Sequence, residues 1–519
     1  MGEPFYITTA ISYPNGPPHI GHAYEAIAAD AIARFQRQRG RGVRFQTGTD
    51  EHGLKMAQTA RGEGVEPRAF ADKMSRLFQG MCDTLNVSYD RFIRTSESDH
   101  YRASQAIWKT MEERGDLYLG RYEGWYSVRD EAYYDEGELV AAENGEKLSP
   151  QGTPVEWTVE ESWFFKLSAY QQKLLDLYAA QPDFIRPESR RNEVVRFVEG
   201  GLSDLSISRT SFDWGVPVPG SDGHVMYVWL DALTNYLTGL GYPDDTELWR
   251  RYWPADVHLI GKDVVRFHAV YWPSFLMSAG IALPKQVYGH GFLLSRGEKM
   301  SKSVGNVVDP IVLADRFGVD ALRYFLLREV SFGQDGSYSA EAIVNRANAE
   351  LANSFGNLAQ RVLTQIVRNC GGGLPEIHGH NDADNALFDV VCGATSQAIP
   401  AAYEELALSK ACEVWIHAVF ACNAYIDEQA PWALRKTDPK RMETVLATLY
   451  ICIAVLAVAI RPVIPGSADR LLDFMGFDPA LRTFDGAMSH WYSPLAESDF
   501  RLAQPVPLFP RLELEEEAA

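Results

Sequence analysis

Residues 5–53 read FYITTAISYPNGPPHIGHAYEAIAADAIARFQRQRGRGVRFQTGTDEHG, and this stretch decides the class of fold. Residues 5–11 are β-branched and aromatic and predict a strand, which the Pro- and Gly-rich residues 12–18 end. Apolar residues then recur at helical spacing over residues 20–38, and residues 43–47 predict a second strand. A strand, a loop, a helix and a second strand form the start of a βαβ unit in a parallel sheet.

A histidine pair stands where the first loop becomes the helix, in the sequence His19-Ile20-Gly21-His22. In parallel sheets ligands bind at the carboxyl ends of the strands, where this loop falls. The N-terminus of a helix attracts phosphate because its N–H groups are unpaired and its dipole is positive there. Two imidazoles three residues apart share a helix face and can donate to one anion, while Gly21 leaves room for a ribose or a base. The alternative is a pair of surface histidines that cap a helix.

A second basic motif, Lys299-Met300-Ser301-Lys302-Ser303, lies far downstream in a Gly- and Ser-rich connection. Cations on a mobile loop can close over a triphosphate and stabilise the charge that builds on phosphate in a transition state. For these lysines alone, a solvated basic loop is the alternative. The histidine motif upstream, with α/β sequence between the two, favours phosphate binding.

Composition and charge exclude several classes of protein. The chain has 519 residues, 49 Lys and Arg against 69 Asp and Glu, and a formal net charge of −20. This balance argues against a general nucleic-acid coat or a membrane-surface protein, since both need broad basic fields. The six cysteines form no CxxC pair, which suits a reducing compartment and provides no zinc knuckle.

The pattern changes several times along the chain, as the length prior of three or four domains leads us to expect. From about residue 115 the segments are short, aromatic and acidic, which predicts an inserted domain; a pattern typical of an antiparallel helical bundle begins after Ser339. The apolar stretch 444–460 is at the lower limit for a membrane span, and we interpret it as a buried bundle helix. The predicted fold is α/β, a Rossmann-like parallel sheet split by an insertion and followed by an all-α bundle. Its segments are the first half of the sheet domain, the insertion, the second half, the motif-bearing connector and the bundle, at residues 1–114, 115–215, 216–288, 289–340 and 341–519.

The two motifs, in this order, resemble the signatures of the class I aminoacyl-tRNA synthetases. Leucyl-, isoleucyl-, valyl- and cysteinyl-tRNA synthetases share the two motifs. Further segments are similar to the methionyl-tRNA synthetase family in particular, and they run from the first strand into the bundle: Tyr13-Pro14-Asn15-Gly16, Thr49-Asp50-Glu51-His52-Gly53, Tyr227-Val228-Trp229-Leu230-Asp231-Ala232, Gly261-Lys262-Asp263-Val264-Val265-Arg266-Phe267-His268 and Asp427-Glu428-Gln429-Ala430-Pro431-Trp432.

The resemblance implies a two-step ligase reaction. Methionine and ATP give methionyl-adenylate and pyrophosphate, and the methionyl group then passes to the 3′ end of tRNA. By similarity, His19 and His22 hold the ATP phosphates, and Lys299 and Lys302 stabilise the departing pyrophosphate. Mg²⁺ is expected to accompany ATP, held largely by phosphates and water. The further ATP contacts that the resemblance implies are Gly21, Glu25, Gly261, Asp263 and Ser301.

For the amino acid, Asp50 matches the residue that pairs with the substrate ammonium; a turn or helix-cap aspartate is the alternative. Methionine is flexible and its sulfur gains from contact with aromatic rings, so an aromatic pocket can enclose it while Tyr13 or His268 addresses the sulfur. Leu233 departs from the family pattern, where proline is often found. The implied side-chain pocket, for which ordinary core packing is the alternative, consists of Ile11, Tyr13, Trp229, Ala232, Tyr236, Val264, Phe267 and His268.

Asn357 and Arg361 share a face of the predicted helix 341–369, and with Trp432 they match the family's anticodon readers. Unstacked loop bases are read by hydrogen bonds from Asn or Arg and by stacking on an aromatic ring. For the two helix residues, a solvated face is the alternative. Two groups of arginines are candidate contacts for the polyanion: Arg34, Arg37, Arg39, Arg41 and Arg44 near the catalytic core, and Arg346, Arg361 and Arg368 on the first bundle helix.

Several further expectations follow from the resemblance. The insertion is shorter than the editing domains of the valyl, isoleucyl and leucyl enzymes, and it contains no cysteine, which predicts a form without zinc or any other metal site. We expect a cytoplasmic monomer that does not bind membranes and whose partners are methionine, ATP and both initiator and elongator tRNA(Met). The alternatives are another class I synthetase, a nucleotidyltransferase for small molecules, and a non-catalytic RNA-binding paralogue. A nucleotidyltransferase would not need the bundle, and a paralogue would be free to lose His19, His22 or Lys302.

Overall fold

The computed structural model describes residues 2–130, 132–142, 145–295, 298–299, 307–489 and 500–514. The strand, helix and strand predicted from residues 5–53 are present as β1 (Pro4–Thr9), α1 (Ile20–Gln38) and β2 (Gly42–Thr49). Helix α1 is buried along most of its length because small alanines and branched isoleucines cover the face that packs on the sheet.

Within the described residues, the central sheet has six parallel strands in the order β3-β2-β1-β5-β6-β4. Its remaining strands are β3 (Arg91–Arg94), β4 (Ile185–Arg186), β5 (Val257–Gly261) and β6 (Val287–His290). Strand β1 lies between β2, which precedes the insertion, and β5, which follows it, so that Thr8 pairs with Gln46 on one side and His258 on the other. The loops that follow β1, β2 and β5 therefore meet at one edge of the sheet, as the βαβ prediction requires.

Helices cover the sheet. They are α2 (Leu54–Gly62), α3 (Pro67–Thr84), α4 (Ser98–Glu113), α5 (Gln171–Ala180), α6 (Glu188–Glu199), α7 (Val228–Thr238), α8 (Glu247–Tyr252) and α9 (Trp272–Ala279). The second half of the sheet domain, predicted at residues 216–288, begins with little strand: its first stretch starts at Val225. It forms only a two-residue strand, Val225–Met226, before α7 starts.

The insertion is built on two long antiparallel strands, Leu117–Ser127 and Glu156–Phe165, with shorter strands beside them at Ala132–Tyr134 and Leu205–Ser206. Further short strands lie at Val140–Ala141, Lys147–Leu148 and Ser208–Arg209. After the second long strand the chain returns to the main body, because β4 pairs in parallel with β6. The segment predicted as one insertion, 115–215, thus also supplies the edge strand of the central sheet. Strand β4 has only two residues, which is too short to show a periodic pattern in the sequence.

The connector and the bundle follow β6. The strands Leu293–Ser295, Glu298–Lys299 and Gly336–Tyr338 form a small sheet. Helices α10 (Pro310–Phe317) and α11 (Val319–Glu329) lie between its second and third strands in the sequence. The first bundle helix runs without a break through α12 (Ala340–Arg346), a π-helical stretch at Ala347–Gly356 and α13 (Asn357–Asn369). The later helices are α14 (Asp382–Gly393), α15 (Ile399–Glu404), α16 (Leu408–Gln429), α17 (Pro431–Thr437), α18 (Pro439–Ile460), α19 (Pro465–Phe474) and α20 (Phe484–Ser489).

Helix α18 carries the apolar stretch 444–460. Among the described helices it is the one that is long and apolar enough to cross a membrane, and 94% of its most apolar 18 residues are buried inside the protein. It packs against α16 and α13, and its residues from Thr444 to Ile460 are all buried. This burial agrees with the interpretation of residues 444–460 as a buried bundle helix.

The sheet domain and the bundle share one hydrophobic core. Apolar residues of α1 and β1 belong to the same buried cluster as those of α16 and α18, and the ring of Phe35 in α1 stacks on that of Tyr403 in α15 at 4.1 Å. A buried ion pair lies at the same junction, where Arg323 of α11 reaches Asp30 of α1 at 2.6 Å. Helix α1 is therefore packed directly against the bundle.

Candidate active site

A cavity of about 360 Å³ opens where the carboxyl ends of β1, β2 and β5 meet the N-terminus of α1. Both halves of the sheet and helix α7 contribute to its wall. The structure thus brings the predicted histidine pair and most of the predicted side-chain pocket into one space. The predicted residues that line it are Ile11, Tyr13, His19, Gly21, His22, Glu25, Asp50, Trp229, Ala232, Tyr236, Gly261, Asp263, Val264 and His268.

The histidine pair occupies the first turn of α1, with His19 as the N-cap residue. The backbone N–H of His19 donates to Nδ1 of His22 at 3.1 Å, and Nδ1 of His19 accepts from the N–H of Gly21 at 3.1 Å. The two ring centroids lie 3.8 Å apart. Local backbone bonds therefore hold both imidazoles side by side at a helix N-terminus, which is a favourable place for an anion.

Glu25, one turn further along α1, forms a buried pair with His290 at the end of β6. Its Oε2 lies 2.8 Å from Nε2 of His290. Burial raises the pKa of the Glu25 carboxyl above its usual range. For His290, burial acts to lower the pKa, but the hydrogen bond with Glu25 outweighs it and the pKa rises. The pair joins α1 to the end of β6 on the cavity wall.

Aromatic rings form the opposite wall, on helix α7 and the segment after β5. Trp229 lines the cavity, and the ring of Phe267 stacks on it at 3.6 Å with an angle of 7° between the planes. Phe267, predicted as part of the wall, thus supports Trp229 from the side away from the cavity lining. Leu233, where the sequence departs from the family pattern, is buried and lines the same wall.

Hydrogen bonds fix the proton on His268. Its Nδ1 lies 2.9 Å from the carbonyl oxygen of Val264, which can only accept, so Nδ1 carries the proton. Its Nε2 then accepts from the Tyr236 hydroxyl, at 2.6 Å. Burial lowers the pKa of His268 to about 4, so the ring is neutral at pH 7. Since both ring nitrogens are engaged within the protein, His268 shapes the pocket wall and has no N–H left to offer to a sulfur atom.

Asp50 is the first residue after β2, is 7% exposed and lines the cavity. Its backbone N–H donates to the carbonyl oxygen of Ser12 at 2.9 Å, which ties the loop after β2 to the loop after β1. The cap of the following helix α2 is Gly53. The helix-cap alternative that the sequence left open for Asp50 is therefore excluded by the structure.

Several lining residues were missed by the sequence analysis. Asn235 lies on the same helix as Trp229 and Tyr236, and His290 and Phe292 follow strand β6. The rule that ligands bind at the carboxyl ends of parallel strands would have indicated His290. Arg129 comes from the insertion and lines the cavity, and no local pattern in the sequence indicates that contact.

Most of the second basic motif lies outside the residues that the structure describes. The backbone of Lys299 forms part of the strand Glu298–Lys299, which pairs with Leu293–Ser295. The side chain of Lys299, and all of Ser301 and Lys302, lie outside the described residues. The roles assigned to these three residues stay predictions.

The three predicted anticodon readers are exposed and lie near one another on the bundle. Asn357 begins α13, and Arg361 follows one turn later. The Arg361 guanidinium lies 5.6 Å from the centroid of the Trp432 ring, and one of its nitrogens is 2.7 Å from Asp427 Oδ1. Trp432 is 47% exposed. The structure thus places a cation beside an exposed aromatic ring on this face.

The arginines at positions 34–44 are predicted to contact a polyanion, and in the structure each of them has a partner within the protein. Arg34 binds Asp30 at 2.7 Å and Arg37 binds Asp90 at 2.9 Å. Arg39 and Arg41 have acidic partners in Glu404 and Glu3, and Arg44 donates to the carbonyl oxygen of Gly239. In the second group, Arg346 is held by Glu329 and Glu350. These side chains join elements of the protein, and their contact with a polyanion stays a prediction.

Two family descriptions match the chain in succession. Residues 5–363 match "tRNA synthetases class I (M)", and residues 374–518 match "Anticodon binding domain of methionyl tRNA ligase". The chain is 58% identical over 509 residues to methionine–tRNA ligase of Brucella suis biovar 1 (strain 1330), covering 98% of both chains. It is 59% identical over 485 residues to that of Mesorhizobium japonicum, covering 93% of both.

Solved structures agree with these matches. The Mycobacterium tuberculosis methionyl-tRNA synthetase in complex with methionyl-adenylate superposes with a TM-score of 0.94 at 54% identity, over 98% of this chain and 100% of that one. The first family match covers more than half of the chain. The chain belongs to the methionyl family of class I tRNA synthetases.

Proposed function

We propose that this chain is a methionine–tRNA ligase, which activates methionine with ATP and transfers the methionyl group to tRNA. The observation that carries the proposal is the single cavity at the strand ends. There the histidine pair of α1 and the aromatic wall of α7 face one space. That arrangement puts a phosphate-binding helix N-terminus next to a pocket suited to a flexible thioether side chain.

In the activation step, a methionine carboxylate oxygen attacks the α-phosphorus of ATP, and the bond from that phosphorus to pyrophosphate breaks. His19 and His22 hold the phosphates, while Lys299 and Lys302 stabilise the negative charge that develops on the departing pyrophosphate. The step needs orientation and positive charge rather than a nucleophile supplied by the protein. Gly21, Glu25, Gly261, Asp263 and Ser301 are proposed to contact the rest of ATP.

We propose that Asp50 binds the ammonium group of methionine. Its place at the end of β2, on the cavity wall and close to the loop after β1, supports this role. The side chain of methionine would then extend toward the aromatic wall. The proposed contacts are Ile11, Tyr13, Trp229, Ala232, Tyr236, Val264 and His268, with Phe267 supporting Trp229.

We also propose that ATP is used with Mg²⁺ and that the protein needs no structural zinc. The cavity offers carboxylate oxygens, the donors that Mg²⁺ prefers, but Glu25 is already bound to His290. We therefore assign the ion to phosphate oxygens and water, where it would neutralise charge. The lack of cysteine between Cys82 and Cys370 supports the zinc-free proposal.

For the second substrate we propose initiator and elongator tRNA(Met), read by Asn357, Arg361 and Trp432. Their exposure and the contact between Arg361 and Trp432 support a face on which an unstacked base can bind. We further propose that the protein acts as a monomer in the cytoplasm, without binding membranes.

The test of the proposed function is ATP–pyrophosphate exchange with each amino acid in turn. Methionine alone should drive exchange, and exchange driven by valine or cysteine but not by methionine would overturn the proposal. Lys302→Ala should lower the rate of exchange about 100-fold or more, because a cation on the pyrophosphate acts mainly in the transition state. Its dissociation constant for methionine, from tryptophan fluorescence, should stay within about two-fold of the starting value. Near-normal exchange in that variant would refute the role of Lys302.

A further inference from the structure

A buried aspartate lies between two histidines directly behind the methionine pocket, and the proposed reaction does not use any of the three. Asp231 of α7 is fully buried, and so are His52, in the loop after β2, and His100 of α4. Nδ1 of His52 lies 2.6 Å from Oδ2 of Asp231, and Nε2 of His100 lies 2.7 Å from Oδ1. Each carboxylate oxygen is thus held by an imidazole from a different element.

The outer nitrogens of both imidazoles are engaged as well. Nε2 of His52 lies 3.0 Å from the Tyr101 hydroxyl, and Nδ1 of His100 lies 3.0 Å from Oγ1 of Thr238. Burial alone would raise the pKa of Asp231, but the two histidines outweigh it and lower the pKa to about 2. The carboxylate is therefore ionised at neutral pH. A buried charge of this kind is costly unless all its partners stay in place, which makes the arrangement rigid.

The cluster joins the two elements that form opposite ends of the proposed methionine site. Asp231 stands between Trp229 and Ala232, which line the cavity. His52 is two residues after Asp50, the proposed ammonium ligand. The contact between His52 and Asp231 consequently links the loop that carries Asp50 to the helix that carries the side-chain pocket.

The other side of the same loop is anchored separately. The carboxylate of Glu51 accepts from Nε and Nη2 of Arg94 at 2.8 and 3.0 Å, and its carbonyl oxygen accepts from the indole N–H of Trp214 at 2.5 Å. Successive residues of the loop thus point to three places: Asp50 to the cavity, Glu51 toward β3 and His52 toward α7. Arg94 holds the loop on the sheet. Among these contacts, the bond from His52 to Asp231 is the one that sets the position of the loop relative to helix α7.

We propose that the His52–Asp231–His100 cluster is a positioning device that fixes the distance between Asp50 and the side-chain pocket on α7. This inference rests on the proposed function. Methionine must place its ammonium on Asp50 and its thioether on α7 at the same time, so a fixed distance favours one length of substrate. The three residues act through Asp50 and the pocket and do not touch the substrate.

The test uses the full-length protein and compares methionine with 4-(methylthio)butanoate, which has the same side chain and carboxylate but no ammonium group. His52→Leu should raise KM for methionine in ATP–pyrophosphate exchange about 10-fold or more, since a hydrogen bond to a charged group is lost. KM for ATP and the inhibition constant of 4-(methylthio)butanoate should each change less than about two-fold. The maximal rate at saturating methionine should stay within a few-fold, because the phosphate site on α1 is untouched.

A conservative variant and a matched control complete the experiment. In His52→Asn the amide nitrogen can replace Nδ1 as donor to Asp231, and we expect it to recover most of the affinity for methionine. Asp384→Asn changes another fully buried aspartate, bound by Tyr425 and Arg441 in the bundle, and should lower the melting temperature. The ratio of KM for methionine to the inhibition constant of 4-(methylthio)butanoate should stay unchanged in this variant.

Two results would overturn the inference. One is an equal loss of methionine and 4-(methylthio)butanoate binding in His52→Leu, which would indicate general damage to the pocket. The other is an unchanged KM for methionine in that variant. Failure of the proposed function itself would be seen differently, as the absence of methionine-dependent exchange in the unsubstituted protein.

Discussion

Gly21 lies between the two histidines, and the space that a side chain would need there is already filled. A Cβ built at this position would lie 2.9 Å from Cε1 and 3.0 Å from Nδ1 of His19. The His19 ring cannot move away without weakening the bond that its Nδ1 accepts from the Gly21 N–H. Glycine is therefore needed for the position of the ring, in addition to any room that it leaves for a nucleotide.

Gly21→Ala should lower the rate of ATP–pyrophosphate exchange about 10- to 100-fold, because it displaces one of the two groups proposed to bind phosphate. The dissociation constant for methionine, measured by fluorescence titration, should stay within about two-fold. Gly80→Ala is the matched control, since its Cβ would meet nothing within 4 Å in helix α3. It should leave exchange unchanged. Normal exchange in Gly21→Ala would show that the His19 ring is not held where the structure places it.

His268 predicts a pH dependence of stability. A histidine in the unfolded chain takes up its proton near pH 6.5, whereas buried His268 does so only near pH 4. Between these values the unfolded chain binds more protons at this residue than the folded protein does. The contribution of His268 to the free energy of unfolding is therefore lost as the pH falls. For one group the slope is about 1.4 kcal/mol per pH unit.

His268→Gln should therefore weaken the pH dependence of urea unfolding between pH 6.5 and 4 by about that slope. The amide of glutamine has an acceptor for the Tyr236 hydroxyl and does not titrate. His417→Gln, at an exposed position of α16, controls for the substitution itself. An unchanged slope in His268→Gln would mean that the folded protein does not lower the pKa of this ring.

At the residue scale, the sequence could predict side chains that stand next to a strand end or on the first turn of a helix. His19, His22 and Asp50 are of this kind, because the βαβ order alone determines that their loops meet. Arg129 and Asn235 could not be found in this way. Arg129 reaches the cavity only because the insertion packs against it, and Asn235 lies within helix α7, where no nearby strand end marks it in the sequence.

At the scale of elements, the buried pair of Arg323 and Asp30 joins helix α1 to the bundle. Arg323 of α11 donates to Asp30 at 2.6 Å and to the carbonyl oxygens of Val463, Pro462 and Leu85 at 2.9 to 3.0 Å. Three segments distant in sequence therefore meet at one guanidinium group. The sequence gives no sign of this junction, since each partner carbonyl is an ordinary backbone group.

Arg323→Met should destabilise the protein by about 3–5 kcal/mol, because it leaves a buried carboxylate without its main cation. Arg34→Met is the matched control: it removes the other arginine on Asp30, whose side chain is partly exposed, and should cost clearly less than Arg323→Met. Both effects can be measured from urea unfolding at neutral pH. Equal losses in the two variants would contradict the assignment of Arg323 as the junction.

At the scale of the whole molecule, a chain of net charge −20 belongs to a family that acts on a polyanion. The arginines near the catalytic core neutralise neighbouring carboxylates and hold elements together, so they add little free positive potential. Binding of tRNA must then rely on local contacts. The exposed ring of Trp432, with Arg361 beside it, is the contact that we propose on the bundle.

Trp432→Ala should raise KM for tRNA in aminoacylation about 5- to 150-fold, since stacking of a base on an aromatic ring contributes about 1–3 kcal/mol. ATP–pyrophosphate exchange without tRNA should be unaffected, because the ring lies on the bundle and not in the cavity. Trp432→Phe keeps a stacking surface and should recover most of the loss. Phe420→Ala removes another exposed aromatic ring of the bundle, 45% exposed, and should change neither activity. If Trp432→Ala and Phe420→Ala give the same KM for tRNA, the tRNA does not stack on Trp432.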